Sequence, residues 1–405
     1  NKMGMSFGIW VEPEMVNVDS KIYRKHPEWV LQIPDRPHSE GRNQRILDLG
    51  RVEVQDYIIS AMSRVFSSAN IEYVKWDMNR TFTDYYSSEL PANRQGEVAH
   101  RYMMGLYRCM SVLTERFPDI LFEGCAAGGN RFDLGILSYF PQIWGSDDTD
   151  AIVRAEIQTG YSYGYPQCCW GSHVSSVPNH QTLRNTALES RFAVASFGCL
   201  GYELNLRDTD IEDKQQIKGQ IDMYKKFRRV IQFGQIYRGR SFTGVTSKTG
   251  ITAEHRLSGS VLVKTDSNLT EWTVVSPDKS RAVGMIIQKL AVPNITYQYY
   301  RAVGLDEEKY YHFYNREVKV NIKEFGDLIN VASPIHIRPG SLRQHLISRV
   351  YKLDGEKEDM KIFGGAIMHA GIKLAPAYAG TGFNERTRIS SDFKARIYFL
   401  EEEEL

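Results

Sequence analysis

Short apolar runs alternate with longer stretches of helical periodicity through the first half of the chain. Phe7-Gly8-Ile9-Trp10-Val11 is a strand-like run, set within a stretch from Met5 that looks buried, and it ends in Glu12-Pro13-Glu14. Val54, Ile58, Met62 and Val65-Phe66 then recur at helical spacing, which predicts a helix over 52–69. Ile71 to Trp76 predicts the next strand, and it opens onto Asp77-Met78-Asn79-Arg80. Tyr102, Leu106, Met110 and Leu113 share one face of a second helix over 96–116, which Pro118 ends. Ile120 to Glu123 and Phe140 to Trp144 follow as strands. The first enters Gly124-Cys125-Ala126-Ala127-Gly128-Gly129-Asn130-Arg131 and the second enters Ser146-Asp147-Asp148-Thr149-Asp150, with a helix expected just after. Val194 to Gly201 and Tyr202-Glu203-Leu204 supply two later strands, and 213–237 a last helix.

Short strands separated by helices pair in parallel through βα crossovers. Polar clusters stand at the C-terminal end of one strand after another, and in a β/α barrel those ends surround a single pocket. A doubly wound open sheet needs a reversal of strand order, which no segment marks. The expected fold is therefore α/β, a (β/α)8 TIM-type barrel over 1–238. Six of eight strands are visible before residue 235, so the barrel is expected to be N-terminally truncated, with two strands upstream of Asn1.

The pattern changes after residue 239. Segments 259–264, 271–276, 282–289, 295–302 and 310–314 carry shorter, β-like periods, with Ser276-Pro277-Asp278-Lys279 as a hairpin turn. Arg396 to Leu400 closes the sheet before Glu401 to Glu404, which are expected in solvent. Residues 239–405 are thus expected to form a smaller antiparallel β domain.

Composition narrows the ligand. Fifty Lys and Arg against 49 acids leave a net charge of +1 over 405 residues, which offers no long-range attraction to nucleic acid or to an anionic membrane. No apolar run reaches the roughly 18 residues of a membrane span. The five cysteines, Cys109, Cys125, Cys168, Cys169 and Cys199, lack paired CxxC spacing, which favours reduced thiols and a cytoplasmic setting. Aromatic residues make up 12% of the chain, and their rings stack well on the apolar faces of sugars.

Two acids then stand out. Asp77 follows one strand and Asp147 another, 147 − 77 = 70 residues apart, at ends that a barrel brings to one pocket. Paired carboxylates on either side of an acetal hydrolyse glycosides: one attacks the anomeric carbon and the other passes a proton. Lys75 would favour ionised Asp77, while Asp148 and Asp150 would favour protonated Asp147. Against this, isolated strand-end aspartates more often cap a following helix, the ordinary role for Asp148 or Asp150. Trp10, Trp76 and Trp144 could wall a sugar or pack a core. Cys125 and Gly128 could meet a small polar ligand or form a tight turn, and Arg42 could contact sugar or solvent. No calcium loop, HExxH, short Cys/His array, GxSxG elbow, P-loop or dinucleotide fingerprint is present, so neither metal nor cofactor is expected.

Trp10-Val11-Glu12-Pro13-Glu14-Met15, Lys75-Trp76-Asp77-Met78-Asn79-Arg80 and Trp144-Gly145-Ser146-Asp147-Asp148-Thr149-Asp150, in that order, resemble the catalytic half of glycoside hydrolase family 36 α-galactosidases. Gly124-Cys125 to Arg131-Phe132-Asp133 and Gly380-Thr381-Gly382-Phe383-Asn384-Glu385-Arg386 extend the resemblance, which covers most of 3–240 and resumes over 363–400. It implies a retaining exo-α-galactosidase with Asp77 as nucleophile and Asp147 as acid/base. It also implies sugar contacts from Trp10, Arg42, Lys75, Asn79, Cys125, Gly128 and Trp144, an α-galactoside oligosaccharide as partner, and a homo-oligomer for the complete protein. The family's N-terminal β-sandwich and early barrel strands do not precede Asn1, so the isolated chain is expected to lack a closed pocket. Ala126-Ala127 and Gly145 depart from the family pattern, which leaves α-N-acetylgalactosaminidase activity or a non-catalytic sugar-binding relative as alternatives.

Overall fold

The computed structural model describes residues 3–240, 244–248, 261–265, 268–291, 298–331, 333–375 and 391–404. The Gly380 to Arg386 motif and parts of segments 259–264 and 295–302 lie outside them. Contacts divide the chain into two compact units, Asn1–Asp147 with Cys169–Gly171, and Asp148–Cys168 with Ser172–Leu405.

In the first unit, strands β1 (Gly8–Val11), β2 (Tyr73–Trp76), β3 (Leu121–Gly124) and β4 (Gln142–Trp144) pair in parallel, in chain order. The registers Val11↔Trp76, Trp76↔Gly124 and Gly124↔Ile143 end these strands at one level. Helices α1 (Val52–Phe66) and α2 (Val98–Arg116) make the crossovers. Val54, Ile58 and Phe66 of α1 pack with Tyr102, Leu106, Met110 and Leu113 of α2 in one core with Val74, Trp76 and Phe122, the faces that helical spacing marked. Val65 is exposed instead, as are Met5, Phe7 and Trp10 at 65%, 49% and 50%. The run around β1 is therefore less buried than its sequence suggests, because among the described residues β1 has a strand neighbour on one side only. Trp76 is fully buried and belongs to the core.

Strand β5 (Trp170–Ser175), unmarked in the sequence, begins beside β4 through Ile143↔Trp170 and Trp144↔Gly171 and continues into the second unit. There β6 (Cys199–Glu203) follows it, with helices α3 (Ala151–Tyr161), α4 (Leu188–Ala195) and α5 (Ile211–Phe233). The strand expected from Val194 is corrected: Val194 and Ala195 close α4, every residue of which is buried. A fully buried apolar run has no exposed face to reveal its period. The helix expected to reach Tyr237 also stops earlier. At Gly234 a Cβ would lie 2.4 Å from the Val230 carbonyl oxygen and 2.6 Å from that of Val275, and a new strand starts at Gln235.

That strand, β7 (Gln235–Arg238), joins an antiparallel sheet with β8 (Leu269–Val275), β9 (Arg281–Gln288), β10 (Tyr310–Asn315), β11 (Asp359–Phe363) and β12 (Ala395–Glu402), in the order β11-β10-β12-β9-β8-β7. Both faces are covered. Val283, Met285, Ile287 and Phe399 pack with Phe227 and Ile231 of α5, while Ala282, Ile286, Leu400 and Tyr398 pack with Tyr300, Tyr311 and Phe313. The Ser276–Lys279 turn forms as expected. Lys279 N–H donates to the Ser276 carbonyl at 2.9 Å, and hydrogen bonds from Ser276 and Ser280 hold the Asp278 carboxyl down at about 2. Glu401 is not in free solvent, since it accepts from Lys226 Nζ at 2.7 Å and from Tyr314.

Candidate active site

Asp77 follows β2 directly, and its backbone N–H donates to the Val11 carbonyl at 2.8 Å, so strand pairing itself sets its place. The residue is 6% exposed. Oδ2 accepts from Trp10 Nε1 at 3.1 Å and Asn79 Nδ2 at 2.7 Å, and Oδ1 accepts from the Met78 N–H at 2.8 Å. The Cys125 thiol stands beside the same carboxylate and helps to lower its proton affinity. Burial raises the carboxyl's proton affinity, but the Cys125 thiol and the hydrogen bonds from Asn79, Trp10 and Met78 outweigh it and hold Asp77 below the ordinary carboxylate range. In turn, burial and the neighbouring Asp77 push the Cys125 thiol up, so it stays protonated.

The ionised state expected of Asp77 thus comes from hydrogen-bond donors, which corrects the role given to Lys75. Lys75 Nζ lies 3.5 Å from Glu123 Oε1 and 4.3 Å from the centre of the Trp144 ring. Glu123 is buried and also accepts from Tyr73 and Gln142. Trp144 is itself buried, and its Nε1 donates to Asp147 Oδ1 at 3.0 Å. Asp147 is exposed at the surface of its unit.

One loop touches both acids. Cys125, whose N–H donates to the Trp76 carbonyl at 2.8 Å, sets its thiol beside Asp77. Three residues on, Gly128 has φ +84°, and a Cβ there would lie 2.9 Å from Ser146 Cα and 3.2 Å from the Asp147 nitrogen. Only glycine fits that approach and that backbone angle. Asn130 Nδ2 closes the turn on the Ala126 and Ala127 carbonyls at 2.7 and 3.1 Å. Cys125 and Gly128 can be at most about 11 Å apart along the chain, so the surroundings of Asp77 and Asp147 adjoin.

Arg42 stands exposed, with φ +55°, in the Gly41–Gln44 turn. Gln44 ties this turn to the site: its Nε2 donates to Glu12 Oε2 at 2.8 Å, and Glu12 Oε1 accepts from Asn79 N and Nδ2 at 3.0 and 2.8 Å. Beyond β4, Asp150 caps α3 through Ile152 N and Val153 N at 2.9 and 3.1 Å, as an ordinary strand-end acid would. Asp148 accepts from the Asp150 N–H at 3.0 Å.

Sequence reasoning missed Glu12 and Glu14 as parts of the site's framework. Glu14 is fully buried, accepts from Trp76 Nε1 at 2.7 Å and Tyr102 Oη at 2.6 Å, and forms a two-pronged pair with Arg131 at 2.9 Å on each oxygen. Burial opposes the charge of Arg131, and the Glu14 carboxylate more than offsets it, so Arg131 holds its proton more tightly than usual. Two acids bracketing Pro13 directly after a strand were the available signal.

Residues 1–234 match the Melibiase family, and residues 269–400 match the Glycosyl hydrolase family 36 C-terminal domain. The chain is 48% identical over 311 residues to alpha-galactosidase AgaA of Geobacillus stearothermophilus, covering 77% of this chain and 40% of that protein. It is 42% identical over 311 residues to alpha-galactosidase Mel36A of Lactobacillus acidophilus, covering 77% and 39%. Among solved structures, a variant of the GH36 AgaA enzyme in complex with raffinose superposes with a TM-score of 0.76 at 38% identity, over 99% of this chain and 45% of that one. The alpha-galactosidase from Lactobacillus brevis gives 0.77 at 36% identity, over 100% and 45%. The chain therefore spans less than half the length of these relatives. The likeness confirms the fold expected from sequence, a (β/α)8-type parallel sheet with an antiparallel β domain. By the match over residues 1–234 and by these relatives, the chain belongs to glycoside hydrolase family 36, the melibiase family.

Proposed function

We propose that the protein containing this chain is a retaining exo-α-galactosidase that releases terminal α-linked galactose from oligosaccharides. The observation that carries this is the Asp77 carboxylate, buried and held ionised by three hydrogen bonds and the neighbouring Cys125 thiol, beside a loop that also abuts Asp147. In the first step an Asp77 oxygen bonds to the anomeric carbon, the glycosidic C–O bond breaks, and Asp147 gives its proton to the departing oxygen. In the second, ionised Asp147 takes a proton from water, the water oxygen bonds to the anomeric carbon, and the bond to Asp77 breaks. The Trp144 N–H orients Asp147, and Glu12 orients Asn79 so that its amide serves Asp77. Trp10, Arg42, Lys75, Asn79, Cys125, Gly128 and Trp144 are proposed to surround the galactose. AgaA variants in complex with raffinose, stachyose and 1-deoxygalactonojirimycin support the substrate class. We further propose residues 1–238 as the catalytic part and 239–405 as the β domain, within a cytoplasmic homo-oligomer.

The test uses the full-length protein on matched α-galactosides and α-N-acetylgalactosaminides. Asp77→Asn should lower kcat for every leaving group by about 10³-fold or more. Asp147→Ala should slow poor leaving groups far more than activated ones, and azide should restore the second step. Inverted product, or an active Asp77→Asn enzyme, would reject these roles. Faster turnover of the 2-acetamido substrate would replace galactose as the sugar.

A further inference from the structure

His38 presents an unusual arrangement next to the proposed site. Its side chain is 3% exposed, yet neither ring nitrogen has a hydrogen-bond partner. Two carboxylates face it from opposite sides, Asp84 Oδ2 at 3.8 Å from Nε2 and Glu40 Oε1 at 3.9 Å from Nδ1. A neutral imidazole carries one N–H and can serve only one of them, whereas an imidazolium carries two and matches both. A buried imidazole left between two acids at just beyond bonding distance is a place where one proton changes the local balance of charge.

The surroundings give that proton a lever. Asp84 already grips the next residue, accepting from Ser39 N and Ser39 Oγ at 3.2 Å each, and from Thr83 at 3.1 Å. Arg80 lies beneath the following turn. It donates to the Ser39 carbonyl and, at 3.2 Å, to the Gln44 carbonyl, and a Cβ on Gly41 would sit 2.9 Å from its Nε. Arg45 pairs with Glu40 on the far side, so the charged groups around His38 are Asp84, Glu40, Arg80 and Arg45. The turn held this way carries Arg42 at its tip and Gln44 at its end, and Gln44 leads through Glu12 and Asn79 to Asp77.

We propose that His38 is a positioning residue whose protonated form latches the Ser39–Gln44 turn between Asp84 and Glu40, setting how Arg42 and Gln44 meet a sugar bound beside Asp77. This rests on the α-galactosidase reading of that site. The latch acts on substrate affinity, not on the bond-making steps, because His38 touches neither carboxylate of the proposed acid pair. Deprotonation leaves the buried Asp84 carboxylate and the half-exposed Glu40 carboxylate facing a neutral ring, and the turn loosens.

The experiment compares the full-length wild type with His38→Gln and His38→Arg, measuring KM and kcat for an α-galactoside between about pH 5.5 and 8.5. His38→Arg, a permanent cation, should keep KM low across the range. Wild-type KM should match it at the acid end and rise roughly three- to tenfold above it at the alkaline end, while His38→Gln should have the higher KM throughout. The kcat profiles of all three should run parallel. A ratio of wild-type to His38→Arg KM that does not change with pH would overturn the latch. Hydrogen exchange across 38–45, corrected for its intrinsic pH dependence, reads the latch without turnover. Protection should fall at alkaline pH in the wild type and hold in His38→Arg, and equal protection at both pH values would also overturn it. Absence of hydrolysis by the wild type would instead count against the assigned activity.

Discussion

At the residue scale, Asp77 and Asp147 stood out because one directly follows an apolar strand and the other lies three residues past the end of another, each inside a distinctive run of polar and aromatic neighbours. What keeps Asp77 ionised was not legible. Lys75 stands two residues before it, on the same side of the strand by alternation, but its ammonium turns to Glu123, its neighbour across the strand pair, while the groups that lower the carboxyl come from Trp10 and Cys125 on the two flanking segments. Sequence adjacency cannot report a partner that strand pairing supplies. The consequence for pH is directional. With its carboxyl held below the ordinary range, Asp77 contributes stability that is full above the unfolded carboxylate value and is lost as pH falls through the lower, folded value. Cys125→Ala removes the thiol that, after burial, weighs most on the Asp77 carboxyl, which should therefore move up. In the full-length enzyme the acid limb of the kcat/KM profile should shift toward neutral pH, with the alkaline limb in place. An unmoved acid limb would show that the thiol does not support the carboxylate.

At the element scale, amphipathic helices were the easiest to read, since α1 and α2 bury the faces that their spacing marks. The failures share one cause, a missing contrast between inside and outside. Helix α4 is buried all round, and β5, Trp170-Gly171-Ser172-His173-Val174-Ser175, mixes polar and apolar residues while five of its six are buried. Neither segment carries a period that separates helix from strand. Caps were more faithful than strands. Asp150 takes the first turn of α3 and also pairs with Arg184, both with its side chain fully buried. Asp150→Ala should cost about 1–2 kcal/mol for the cap alone, and more because Arg184 is left facing no carboxylate. Urea unfolding checks this: Asp150→Asn should recover part of the loss by restoring the cap, and an unchanged midpoint for Asp150→Ala would contradict it.

At the scale of the whole molecule, a net charge of +1 offers no long-range attraction to a charged polymer and leaves a neutral ligand ahead. No described helix is long and apolar enough to cross a membrane. What composition could not show is the acid cluster inside the β domain. Burial pushes the Glu358 carboxyl up to about 7, with Glu356 beside it adding to the effect, while the Ala375 N–H and Arg396 pull the other way. A raised folded value means the stabilising protonated form is fully present below about 4.5 and is lost as pH rises through about 7. Glu358→Gln should therefore be more stable than the wild type at pH 8, by on the order of 1–2 kcal/mol once solvent screening is allowed for. At pH 4 it should show no gain, and thermal unfolding at the two pH values decides the matter. The turn from Cys125 to Gly128 has a further consequence for the molecule's chemistry. Because it sets a thiol beside one acid and seats the backbone of the other against a bare α-carbon, it spans the distance between them like a ruler. Retention needs carboxyl groups about 5–5.5 Å apart, and a gap nearer 6.5–9.5 Å admits water and inverts the sugar. On the proposed reading, the stereochemical outcome of hydrolysis would be written partly in the length of a four-residue bend, where one inserted residue would recalibrate the scale.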